Sequence, residues 1–102
     1  MTDLPADAIR VVATLPIQAE SIEPARAALK ALAAASLAGE PGCLQYDVFE
    51  SAATPGVLVT VEAWASEADM TAHLSTPHVA EAFGVLGGAL AGDLAIHPLT
   101  PL

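Results

Sequence analysis

Positive charge is nearly absent from this sequence. Arg10, Arg26 and Lys30 are its only Lys or Arg residues, scattered against 12 acidic ones, and the formal net charge is −9. Phosphate backbones are held by several Lys or Arg in one patch, so nucleic acid is not expected as a partner. Anionic membrane surfaces are disfavoured for the same reason. No apolar run approaches the roughly 20 residues that cross a bilayer. Cys43 is the only cysteine, which rules out an intrachain disulfide. Residues 1–8 carry Asp3 and Asp7 and lack the basic start and apolar run of a secretion signal. A cytoplasmic location is expected. Aromatic residues make up only 4% of the chain, and His73, His78 and His97 are its three histidines. Side chains that could do chemistry are few enough to weigh one by one.

What is present is apolar surface. Hydrophobic residues make up 54% of 102 residues, enough for one domain, expected over 9–102 after an N-terminal tail of 1–8. Much of that fraction is alanine, so few large side chains build the core. An uncovered apolar face is expected, and a homodimer is the common way to bury one.

Local patterns divide the chain. A β-branched stretch over 9–17 reads as a strand, with Pro16 placing its end at an edge or outside the sheet. Ser21 reads as a helix N-cap with Pro24 in the first turn. Ile22, Ala25, Leu29, Leu32 and Leu37 then recur near a helical period. Gly39 ends the helix and Glu40-Pro41-Gly42 forms a turn. The next strand, 43–50, alternates Leu44, Tyr46 and Val48 with Cys43, Gln45, Asp47 and Phe49. The turn residues of 51–56 lead to a third strand, 57–64, making an antiparallel pair. Ser66 and Asp69 form a Ser-x-x-Asp cap for a helix carrying Met70, His73 and Leu74. Thr76 and Pro77 interrupt and restart it, and Val79, Phe83, Leu86 and Leu90 form a stripe. The glycines at 84, 87, 88 and 92 are expected to weaken and end that helix. A short strand over 94–99 is stopped by Pro98 and Pro101.

The order β-α-β-β-α-β is the ferredoxin-like plan, an α+β fold with helices on one face of an antiparallel sheet. Its other face also needs cover. The row of Val57, Val59 and Val61 suits a sheet-on-sheet dimer contact.

Glu40-Pro41-Gly42-Cys43 followed by Tyr46, then Glu62-x-Trp64, then His73 and the Thr76-Pro77-His78 restart, resembles the antibiotic biosynthesis monooxygenase family over roughly residues 9–99. The resemblance implies homodimers of ferredoxin-like subunits forming a dimeric α/β barrel, each with a small-molecule pocket between sheet and helices. It implies oxidation of a phenolic, quinol-like or polyketide aromatic with O₂, without metal or flavin. A related branch binds and degrades haem, and His73 occupies the place of the haem ligand there. Active members often carry an Asn on the first strand. This strand has none, and Thr14 is its nearest polar residue, so haem is disfavoured and no cofactor is expected.

Ground-state O₂ reacts slowly with closed-shell organic molecules. A cofactor-free enzyme must deprotonate its substrate, which takes a base, donors to the oxyanion and a dry pocket. His73 is the expected base, since imidazole titrates near neutrality and its neighbour Met70 faces the sheet. The alternative is a hydrogen-bonded histidine that only orders the helix pair. His78, after Pro77, is a second base or acceptor, or a surface residue. The indole N–H of Trp64 and the hydroxyl of Tyr46 are expected donors, or core packing. Glu62, an acid in an apolar strand, orients the substrate or a histidine, or fixes the dimer through hydrogen bonds. Met70, Phe83 and Thr14 complete the expected lining. Cys43 reads as a buried hydrophobe and His97 as a surface residue. No metal site is expected, because His73 and His78 are i, i+5 across a proline rather than the i, i+4 of a helical zinc pair. Two other functions compete: a binding module holding an apolar small molecule or haem, and a dimerisation domain with a filled cleft.

Overall fold

The computed structural model describes residues 4–102. The first three residues of the expected tail, Asp3 among them, lie outside the described residues. The elements are β1 (Ile9–Pro16), α1 (Ile22–Gly39), β2 (Cys43–Glu50), β3 (Val57–Trp64), α2 (Glu67–His73), α3 (Pro77–Ala89) and β4 (Ala95–Leu99). The four strands form one antiparallel sheet in the order β2-β3-β1-β4. This is the ferredoxin-like α+β arrangement, and among the described residues no helix is long and apolar enough to cross a membrane.

Strand pairing fixes which side chains face the helices. Val11, Ala13 and Leu15 of β1 lie opposite Glu62, Thr60 and Leu58 of β3, and all six are buried. Of these, Val11, Ala13, Leu15 and Leu58 pack with Leu29 and Leu32 of α1 and Val79, Ala82 and Leu86 of α3 into one core. Pro16 is the last residue of β1, beyond Thr14, where pairing with β4 stops. It therefore sits where the sheet thins, as a residue without an N–H requires. Gly56, the only described residue with positive φ (93°), closes the loop between β2 and β3.

Five local expectations are corrected. Ser21 precedes α1, but its hydroxyl caps nothing, because a 3₁₀ turn at Ala19–Ser21 leads into the helix instead. Leu37 is half exposed and Ser36 is buried in its place. At about 100° per residue, the stripe through Leu29 and Leu32 returns at 36 and has rotated past by 37. The register of β2 slips between Cys43 and Gln45. That bulge buries Cys43 on the side of Tyr46 and breaks the expected alternation. α3 runs through Gly84, Gly87 and Gly88 and ends at Ala89. Its buried row of Val79, Ala82, Leu86 and Ala89 holds it against the core despite the glycines. Finally, Pro98 lies within β4 opposite Val11 rather than ending it. β4 is an edge strand, where a missing N–H costs no ladder bond.

Candidate functional site

A cavity of about 190 Å³ lies between the sheet and the helices. Its floor is two cross-strand rows. Pro98, Val11, Glu62 and Tyr46 make one, and Ile96, Ala13 and Thr60 lie in the other. Met70, His73, Val79, Phe83 and Leu86 close it from the helices. Leu74 and Ile96 line it and are 60% and 50% exposed, so they mark its mouth. The lining is apolar except for Tyr46, Thr60, Glu62 and His73.

Glu62 is buried without a cationic partner among the described residues. Its carboxylate accepts hydrogen bonds from the Thr60 hydroxyl (2.6 Å) and the Trp64 indole N–H (3.1 Å). All three residues are on one face of β3, since alternate side chains share a face. Two donors from its own strand thus satisfy a charge that would otherwise be costly to bury. Tyr46 meets Trp64 edge-on, with ring centroids 6.4 Å apart. Burial pushes the Tyr46 phenol above its ordinary value, and the nearby charge of Glu62 adds to this. Its hydroxyl therefore stays protonated and remains a donor.

His73 is 5% exposed, with its ring centroid 4.5 Å from that of Trp64 and 5.6 Å from that of Tyr46. Its Nδ1 lies 2.7 Å from Glu40 Oε2, and His78 Nε2 lies 2.7 Å from the same oxygen. Burial opposes ionisation of Glu40, but hydrogen bonds from His73 and His78 and the attraction of both imidazoles outweigh it. The carboxyl is held below its ordinary value. An ionised carboxylate only accepts, so Nδ1 of His73 and Nε2 of His78 are the donors. In a neutral His73 ring, Nε2 then keeps the free lone pair.

Local sequence explains this convergence. The Ser66 hydroxyl accepts from the Asp69 amide (3.1 Å) and donates to the Asp69 carboxylate (2.8 Å), starting α2. Gly42 packs directly on Asp69; a Cβ there would stand 2.3 Å from Asp69 Cγ. The Ala65 amide also donates to the Gly42 carbonyl at 2.8 Å. The turn bearing Glu40 is thereby fixed to the start of α2. Thr76 then accepts from the Val79 amide and donates to the His73 carbonyl (2.8 Å), so one hydroxyl closes α2 and opens α3. The break re-aims the chain and carries His78 to the carboxylate that His73 already holds.

Of the expected site residues, His73, Tyr46, Glu62, Met70 and Phe83 border the cavity. Trp64 is fully buried behind His73, and its N–H is given to Glu62. His78 lines a surface groove between α1 and α3. Thr14 is corrected: it belongs to the alternate row of β1, on the opposite face, paired with Val59 and Ala95. The β1 side chains at the cavity are the apolar Val11, Ala13 and Leu15. Cys43 is buried, its thiol pushed up to about 11 by burial and the charges of Glu40 and Glu62. His97 is exposed. In the sequence Glu40 reads as a turn residue and as part of the family resemblance, with no role in the site. No local pattern reveals its partners, which lie 33 and 38 residues away.

A family model described as antibiotic biosynthesis monooxygenase matches residues 8–84. Solved structures agree. A Caulobacter crescentus protein, named as a candidate antibiotic biosynthesis monooxygenase, is 33% identical with a TM-score of 0.87, covering 93% of this chain and 90% of its own. A Deinococcus radiodurans protein of the same description is 31% identical, with a TM-score of 0.82 and 91% of each chain covered. Rv0793 of Mycobacterium tuberculosis is 29% identical, with a TM-score of 0.84, covering 94% of this chain and 96% of its own. No protein with a curated description matches the sequence.

Proposed function

Because the chain belongs to the antibiotic biosynthesis monooxygenase family, we propose that it is a cofactor-independent oxygenase of a small phenolic or quinol-like aromatic, working as a cytoplasmic homodimer. One observation carries this reading: an apolar cavity receives a single imidazole whose Nδ1 is held by Glu40. His73 Nε2 takes the phenolic proton, and Glu40 stabilises the imidazolium that results. The Tyr46 hydroxyl donates to the phenolate oxygen. The electron-rich ring then reduces O₂. One oxygen atom enters a ring C–H position, giving a quinone carbonyl, and the other leaves as water. The substrate supplies all the electrons.

Cavity size narrows the substrate. An apolar cavity of about 150 Å³ holds benzene, and drug-sized ligands fill roughly 300–1,000 Å³. A volume near 190 Å³ favours a single ring over a polycyclic polyketide. It favours a group as large as haem still less. The apolar β1 side chains at the cavity supply no donor for an oxygen ligand on haem iron, and this too supports the cofactor-free reading.

The homodimer rests on the sheet face turned away from the helices. There Val12 and Val61, and Thr14, Val59 and Phe49, form cross-strand rows. Phe49 is 56% exposed and the valines are half-buried.

The test is O₂ uptake by metal-stripped protein on a panel of hydroquinones and phenols, with chelator present, beside His73→Ala. Uptake by the native chain and a loss of about 10²–10⁴-fold in the variant is expected. Equal uptake by both would remove His73 from the mechanism. Saturable binding without uptake would favour a binding module.

A further inference from the structure

We propose that Glu40, His73 and His78 bind one divalent transition-metal ion of the zinc type outside the cavity, and that the bound ion turns His73 from a proton acceptor into a donor. The first half stands on the cluster alone, and the second rests on the base role proposed above.

The three donor atoms, one from each residue, lie within 4.8 Å of one another. Two imidazoles and a carboxylate suit a zinc-type ion, and three protein ligands leave a fourth position for water. The i, i+5 spacing argues only against a pair on one continuous helix. Here the chain breaks at Thr76-Pro77, and Glu40 arrives from the end of α1. The ion pairs of the described residues give Glu40 no Lys or Arg that a metal must displace. Entry is open, because His78 lines the surface groove between α1 and α3 beside Ala35 and Glu81. A net charge of −9 raises the local concentration of cations.

Zinc–ligand bonds of 2.0–2.2 Å at tetrahedral angles set ligand atoms about 3.4 Å apart. The hydrogen-bonded N···O separations are now 2.7 Å. Each imidazole must therefore move back from the carboxylate by roughly 0.7 Å. His78 has most room, with its side chain 22% exposed, whereas His73 is packed against Trp64.

Neither Glu40 nor His78 borders the cavity, so the ion would sit behind the base rather than beside the substrate. Its effect passes through the ring. In the metal-free protein the His73 proton is on Nδ1 and the lone pair on Nε2. A metal at Nδ1 uses the lone pair there, and the single ring proton moves to Nε2. The count of protons is unchanged, but the atom that faced the substrate as an acceptor becomes an N–H donor. Base and metal ligand are mutually exclusive states of one imidazole.

The experiment is calorimetric titration of the untagged, metal-stripped chain with Zn²⁺, followed by ¹⁵N NMR of its histidines. One ion per chain is expected, with His78→Gln and Glu40→Gln each weakening binding at least ~10-fold. His78→Gln changes a part-exposed residue and carries the test if Glu40→Gln does not fold. The His73 spectrum should change from the Nδ1–H to the Nε2–H tautomer. Absence of saturable binding, or equal affinity in both variants, overturns the site. Binding with His73 still protonated at Nδ1 overturns the switch. Zn²⁺ should also suppress O₂ uptake. If no uptake is found at all, the oxygenase reading fails while titration and tautomer still decide the metal site.

Discussion

On β3 the buried row is Leu58, Thr60, Glu62 and Trp64, while Val57, Val59 and Val61 between them are only half-buried. A lone amphipathic strand would bury its valines and expose its acid. Here the acid is inside, satisfied by donors two residues away on either side. The valines are the uncovered residues. The inner face has been given over to a polar ladder at the foot of a cavity, and the outer face is left with apolar area for another surface to cover. Half-buried valines on a strand are thus as informative about assembly as the buried acid is about chemistry.

Trp64→Ala should show the largest difference between the faces. The indole is fully buried and satisfies Glu62, and its removal should cost about 3–5 kcal/mol in urea unfolding. A cost below about 1 kcal/mol would mean that the inner face is not the tightly packed one. Val59→Asp probes the other side. It should leave the helical and strand signals intact but convert a dimer to a monomer in light scattering. Unchanged mass would mean that this face is not the interface.

Alkaline pH should act on the inner face. Cys43 is raised from 9.0 to about 11, and Tyr46 is raised as well. The unfolded chain gives up these protons first, so stability is complete below about pH 9 and declines as the pH rises toward 11. Thermal unfolding across that range should show the decline, and Cys43→Ala should make it shallower. The smallest effect is expected at Ser36, whose buried hydroxyl has no hydrogen-bond partner among the described residues. Ser36→Ala should raise stability by about 1 kcal/mol, since no bond is lost and helix propensity improves.

Both strands of the β2–β3 hairpin were legible in the sequence to the residue, because alternation and flanking turns mark their ends. The break at Thr76-Pro77 was equally legible, since a capping threonine followed by proline can be read locally. Thr14 was placed on the wrong face because it was chosen as the polar residue nearest in kind to the family's Asn; parity argued against it, since Ile9, Val11, Ala13 and Leu15 form a wholly apolar row while Thr14 shares its row with Arg10. The bulge at the start of β2 has no local signature. Glu40 is the sharpest omission. Its role depends on Gly42 packing against Asp69, a contact between a turn and a helix cap that no periodicity encodes.

Sequence distance has a kinetic consequence. Glu40 meets its imidazoles across 33 and 38 residues, so closing those loops must precede any contact between them. A hairpin such as β2–β3 can form early and alone on the microsecond scale. The carboxylate and its two rings come together only when the turn after α1 docks on the α2–α3 pair, so the cluster cannot exist within any one local element. A separate α2–α3 segment would carry both imidazoles without the carboxylate that joins them, because Glu40 lies in the turn between α1 and β2.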